Sequence, residues 1–281
     1  GIIGRVRPEA AQRTGLPEGI PVSTGGGDNM MGAVGTGNVS QGKITMSLGT
    51  SGTVYAYSDQ PVIDPRGEIA AFCSSTGGWL PLVCTMYCTV TTELMRGLLG
   101  ADINAFEAAV SAAPRGAEGV ITLPFFNGER TPNLPRGKAC IVGLDSQNTR
   151  QENLLRSAME GATFALRYGV DRLGELGIKA TEILLTGGGA GSPTWRQAVA
   201  DICNAPVTVL QQNEGASFGA ALQALAVLEQ VDQADLQSFA DQHLGRDEAL
   251  RCEAKSSSVN FYNEAYRDYQ SAVGAISPLY S

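Results

Sequence analysis

Three glycine turns, far apart in the chain, carry the residue types that phosphate chemistry uses. Gly25-Gly26-Gly27-Asp28-Asn29 offers a carboxylate, and Ser47-Leu48-Gly49-Thr50-Ser51-Gly52-Thr53 offers hydroxyls. Thr186-Gly187-Gly188-Gly189-Ala190-Gly191-Ser192 follows a short aliphatic run and leads into a helical pattern. Glycine lets a backbone approach a ligand closely and take φ values closed to other residues. Hydroxyls and free N–H groups in such turns suit the oxygens of a nucleotide phosphate. Together the turns predict a nucleotide-dependent phosphoryl-transfer lobe.

Local sequence leaves three roles open for Asp28. It could accept the proton of an attacking hydroxyl, bind Mg²⁺, or cap the N-terminus of the helix that follows. The Gly49-Thr50-Ser51-Gly52 run reads either as a phosphate loop or as an ordinary hairpin bend. It is not a P-loop, because the lysine of G-x-x-x-x-G-K-[ST] is absent. Gly187-Gly188-Gly189-Ala190 stands between a strand and a helix, as a nucleotide seat or as a plain crossover turn. It does not make a dinucleotide fingerprint. Ser192 caps the next helix or contacts the ligand, and Trp195 reads as core. In Glu129-Arg130-Thr131-Pro132 the choice lies between a phosphate-binding arginine and a structural pair of Arg130 with Glu129 or another carboxylate, the pair being preferred. Asn213 and Glu214 read as capping residues. The six cysteines show no zinc spacing and are expected to be buried free thiols. His243, the one histidine, lies in a polar helical stretch and is not expected in catalysis.

These turns need elements to hold them. Residues 43–48 and 54–57 read as strands of a hairpin, and 29–35 as a closely packed helix of small residues. Residues 64–82 mix strand and loop, 84–99 are helical in spacing, 106–112 form a short helix and 120–126 a strand. The strongest helix covers 150–176, with Leu155, Met159, Ala162, Leu166, Val170 and Leu173 on one stripe and Gly177 as its stop. Strand 182–186, helix 193–203, strand 206–210 and helix 214–227 then alternate, predicting a mixed α/β fold with crossover helices. A helix is expected near 235–244, and another near 261–273 is expected to pack outside the core.

The 281 residues suffice for a large core, and the net charge of −8 speaks against a nucleic-acid or anionic-membrane surface. It does not exclude a phosphate ligand, which backbone amides and Mg²⁺ neutralise locally. No run of ~20 apolar residues suggests a membrane helix. A cytoplasmic location is expected. The start at Gly1, without methionine, suggests a fragment or processed chain.

The order of the motifs resembles the FGGY family of carbohydrate kinases over nearly the whole chain. The resemblance rests on the three glycine turns, on Gly128-Glu129-Arg130-Thr131-Pro132, on Glu160-Gly161-Ala162-Thr163-Phe164-Ala165-Leu166-Arg167, and on Ser192 and Trp195. It implies an actin-like, ribonuclease-H-like ATPase lobe and an enzyme that transfers phosphate from ATP, with Mg²⁺, to a sugar hydroxyl. By resemblance Asp28 is the general base and, with Asn29, touches the sugar. Gly49, Thr50 and Ser51 meet the transferred phosphate, and Gly188, Gly189, Ala190 and Ser192 receive the nucleotide. The family's first lobe has no counterpart here, so this reads as the second lobe. Residues 1–21 then lead in from a missing N-terminal lobe, 22–230 bind nucleotide, and 231–281 are a helical extension of the same lobe. Mg²⁺ ligands and part of the sugar pocket would lie outside the chain, and the lobe alone would transfer phosphate weakly or not at all. A ketopentose such as D-xylulose is the expected acceptor. Ribulose, gluconate or glycerol, or a non-catalytic nucleotide-binding lobe, are the alternatives, and a homodimer through the outer helices stays open.

Overall fold

The computed structural model describes residues 1–211 and 215–280; the expectations for Asn213 and Glu214 fall outside them. Its first elements are β1 (Ile2–Arg5) and β2 (Pro21–Ser23), an antiparallel ribbon joined through helix α1 (Pro8–Thr14). Helix α2 (Asp28–Thr36) precedes the hairpin β3 (Lys43–Leu48) and β4 (Gly52–Ala56). Next come β5 (Ala70–Cys73), β6 (Trp79–Thr85), α3 (Thr89–Leu99), α4 (Ile103–Ala112) and the small pair β7 (Ile121–Leu123) and β8 (Cys140–Val142). Helix α5 (Gln151–Glu175), β9 (Glu182–Thr186), α6 (Pro193–Cys203), β10 (Val207–Val209), α7 (Gly215–Leu228), α8 (Leu236–His243) and α9 (Ser256–Ile276) complete the chain.

One six-stranded sheet runs in the order β10-β9-β3-β4-β6-β5. β10, β9 and β3 are parallel, whereas β3, β4, β6 and β5 are antiparallel neighbours. The parallel strands β9 and β10 require a crossover, which α6 supplies. Ser47 pairs with Thr186, so the 49–52 bend and the 187–191 turn leave adjacent parallel strands side by side. The carboxyl ends of parallel strands are where open α/β sheets place ligands.

Helix α5 lies against the sheet, with Leu155, Met159, Ala162, Leu166 and Leu173 of its expected stripe fully buried. Arg172 from α5 pairs with Asp64 at 2.5 Å and Glu68 at 3.1 Å, and also with Glu175. Burial raises the Asp64 carboxyl, but the amides of Arg66, Glu68 and Ile69 and the Arg172 charge outweigh it and leave it below the ordinary value. These bonds fasten the 57–69 loop to the helix.

Three expectations need correction. Residues 84 and 85 finish strand β6, and the helix begins only at Thr89, because pairing with β4 claims that backbone. Helix α9 does not lie outside the core: Tyr262, Tyr266 and Tyr269 belong to the main hydrophobic cluster and surround Phe164 at ring distances of 5.3–6.2 Å. Their i, i+4, i+7 spacing puts all three on one stripe. Of the cysteines, all free, only Cys88 is buried and Cys73 is exposed.

Candidate active site

Asp28 opens α2 at its first helical position, behind Gly25 at φ 66°. Gly27 occupies the cap position, so Asp28 is not the N-cap. Its Oδ1 accepts from the Asn29 backbone N–H at 2.8 Å and from Asn29 Nδ2 at 3.3 Å. Among the described residues Oδ2 accepts no hydrogen bond, and the side chain is exposed. One oxygen is therefore oriented and the other is available. A cavity of about 440 Å³ lies before it, lined by Asp28 and Asn29, by Ser47 and Tyr55 from the hairpin, by Thr186 and Gly187, and by the start of α7.

The position of Asp28 depends on two helices meeting without side chains between them. A Cβ on Gly219 of α7 would stand 1.8 Å from the Met31 carbonyl oxygen of α2, and one on Gly35 would stand 1.9 Å from that of Gly215. The glycines that weaken α2 as a helix are what let it seat against α7. Gln223 of α7 also donates to the Gly25 carbonyl at 3.3 Å, steadying the turn before Asp28.

In the 49–52 bend the carbonyls of Gly49 and Thr50 turn toward α3. Gly49 O accepts from the Thr89 N–H and hydroxyl, each at 2.9 Å, and Thr50 O accepts from the Cys88 N–H at 3.0 Å. Those donors are the unpaired amides that begin α3. The amides of Thr50 and Ser51 donate to no acceptor among the described residues, and both residues are exposed. A turn with carbonyls spent and amides free is suited to an anion. Neither Thr50 nor Ser51 lines the Asp28 cavity.

The 187–191 turn packs directly on that bend. Gly187, at φ 87°, leaves no room for a Cβ, which would lie 2.6 Å from the Leu48 carbonyl. Gly187 lines the Asp28 cavity, while Gly188, Gly189, Gly191 and Ser192 line a second one of about 520 Å³. Ala190 is buried and its carbonyl accepts from Arg196 at 2.7 Å, so it supports the turn instead of lining it. Ser192 caps α6 by accepting from the Trp195 N–H at 3.0 Å. Trp195 is 2% exposed and its Nε1 donates to Thr163 at 2.9 Å, as a core residue does. Thr89, Thr92, Phe106 and Glu107 form the facing wall of this cavity.

Glu129 and Arg130 do not form the expected pair. Among the described residues Arg130 has no carboxylate within 4.0 Å, and its guanidinium approaches Met86 Sδ at 3.8 Å. Glu129, 2% exposed, instead takes the backbone amides of Met86, Arg130 and Thr131. His243 bonds the Phe239 carbonyl at 2.9 Å within its helix. Among the described residues no three His, Cys, Asp or Glu side chains gather as a metal site, and Asp28 is the carboxylate among the described residues that line its cavity. Sequence reasoning placed Ser47 and Thr186 in the glycine turns without giving either a role of its own, and gave none to Tyr55. The first two end parallel strands beside glycine turns, a signal that could have found them; Tyr55 had none.

Residues 44–228 match the model of the FGGY family of carbohydrate kinases, C-terminal domain. The chain is 48% identical over 267 residues to a xylulose kinase of Haemophilus influenzae, covering 95% of this chain and 54% of that protein. It is 41% identical over 212 residues to a xylulose kinase of Streptomyces rubiginosus, covering 75% of this chain and 42% of the other. The crystal structure of a xyloylose kinase from Brucella ovis superposes with a TM-score of 0.90 at 27% identity, over 99% of this chain and 57% of that one. The chain thus spans about half the length of the curated relatives it matches.

Proposed function

The chain belongs to the FGGY family of carbohydrate kinases, and from that premise we propose that it is the nucleotide-binding half of an enzyme phosphorylating D-xylulose to D-xylulose 5-phosphate with ATP. The observation that carries the reading is the shared wall of two cavities: Gly187 faces the one holding Asp28 and Gly188 the one holding Ser192. A sugar before Asp28 and a nucleotide in the second cavity would meet at the 49–51 bend and the 187–189 turn.

Asp28 orients the acceptor hydroxyl and takes its proton through Oδ2, while Asn29 holds Oδ1 and faces the same cavity. The free amides of Thr50 and Ser51 hold phosphate oxygens. Gly188 and Gly189 let the nucleotide approach the backbone, with Ser192 at the mouth and Phe106 and Trp195 as apolar wall. When bound, ATP supplies the phosphoryl group, and Mg²⁺ with its ligands comes from outside this chain. In this reading residues 22–230 are the nucleotide-binding lobe, 231–281 its helical extension, and 1–21 the approach from an N-terminal lobe that supplies the rest of the sugar pocket. The setting is cytoplasmic; among the described residues no helix is long and apolar enough to cross a membrane.

The test uses the full-length protein with ATP and a panel of D-xylulose, ribulose, gluconate and glycerol. Asp28→Ala is expected to lower transfer by roughly 10²–10⁴-fold and leave nucleotide affinity unchanged. Retained transfer would remove Asp28 as the base, and preference for another acceptor would replace D-xylulose.

A further inference from the structure

Glu129 is the buried carboxylate of the site region to which the reading above gives no task. Its Oε1 accepts from Met86 N at 2.8 Å, Arg130 N at 2.6 Å and Thr131 N at 3.4 Å, and Oε2 from Met86 N at 3.0 Å. Met86 lies in the short crossing between β6 and α3. That crossing and the first turn of α3 hold the 49–52 bend at the carbonyls of Gly49, Thr50 and Gly52. The Thr85 hydroxyl accepts from Gly52 N at 3.2 Å and lies 3.3 Å from Gly52 O, and Cys88 N and Thr89 N bond the carbonyls of Thr50 and Gly49.

We propose that Glu129 is a positioning residue for the nucleotide phosphates: it ties the 129–131 loop to the 85–89 crossing and so keeps the Gly49 and Thr50 carbonyls turned toward α3 and the Thr50 and Ser51 amides free. This rests on the reading of that bend as the phosphate site. Burying a charge without an ion-pair partner is unfavourable, yet an apolar side chain here would leave the Met86, Arg130 and Thr131 amides without this acceptor. Burial pushes the Glu129 carboxyl up from 4.5 to about 7, against the pull of the Arg130, Met86 and Thr131 amides and of the Arg130 guanidinium. A residue that disfavours its own charged form, yet gathers three amides from two segments, fits a requirement of the site better than one of the core.

The experiment is Glu129→Gln in the full-length protein, which keeps the shape and one acceptor oxygen but removes the charge and the second. The KM for ATP is expected to rise about tenfold or more, as loss of a charge-assisted hydrogen-bond set does, with the KM for D-xylulose within about twofold. Hydrogen exchange should quicken in peptides covering residues 46–53 and 86–90 and stay unchanged in 182–186. A parallel rise in both KM values would make Glu129 merely structural and overturn the proposal, as would unaltered exchange of the bend. Absence of any transfer by the unmutated protein would defeat the kinase reading, and the exchange measurement would still decide whether Glu129 holds the bend.

Discussion

Asp28 and Glu129 are carboxylates in glycine-bearing loops, and solvent treats them oppositely. Asp28 is exposed with one oxygen unbonded by the described residues, as suits a group that must meet a substrate. Glu129 is enclosed and fully engaged by backbone amides, with Arg130, Cys84 and Tyr269 as the other titratable groups that feel its charge. Its folded carboxyl, at about 7, lies above the 4.5 expected when unfolded. Folding therefore favours its protonated form. The stability this contributes is fully present below about pH 4.5 and is lost as pH rises through about 7, a loss on the order of 2–4 kcal/mol. Denaturant unfolding between pH 5 and 8 should show a smaller decline for Glu129→Gln than for the unmutated chain. Parallel curves, within about 0.5 kcal/mol, would refute the displaced titration.

Among the elements, the pair α2 and α7 decides where Asp28 sits. Gly219→Ala would drive a methyl to 1.8 Å from the Met31 carbonyl, so the helices must part. The expected cost is about 1–3 kcal/mol or more, as for other overpacked interiors, with lowered transfer from displacement of Asp28. Gly188→Ala, which meets nothing within 4 Å, is the control and should leave thermal stability unchanged. Equal melting temperatures for Gly219→Ala and the unmutated protein would mean the helices yield freely. The strand 182–186 and the start of the helix at Pro193 were legible in sequence because their signals are local, an aliphatic run between turns and a Ser-Pro start; the helix end, read as Ala200 or Cys203, falls at Cys203, where Asn204 takes the αL conformation. The start of α3 was not legible, since Cys84 and Thr85 have helical spacing but are taken by strand pairing with β4.

At the scale of the whole molecule, the mixed sheet flanked by helices is that of an actin-like ATPase lobe, and the related Brucella ovis structure follows it over 99% of this chain. The chain covers 54% of the Haemophilus influenzae relative, so a complete catalytic apparatus is proposed to need a further lobe. The 281-residue chain alone is expected to bind ATP but to transfer phosphate at least about 100-fold more slowly than the full-length protein, because phosphoryl transfer depends on holding both reactants in register. Single-turnover assays of the two proteins at equal concentration check this. Comparable rates would show that the described lobe suffices.

The amino-acid sequence by itself determined the α/β class, the glycine turns and the family, because each is written in short-range patterns: apolar periodicity, glycine where a backbone must turn, and five motifs in a fixed order. Tertiary structure decided which groups are spent and which are free. Only the register of Ser47 with Thr186 brings two turns together, only the meeting of α2 with α7 explains glycines inside a helix, and only the fold turns Glu129 from a partner of Arg130 into an acceptor for Met86. Sequence cannot express these pairings, since hydrogen-bond partners and burial depend on atoms that come together from distant parts of the chain.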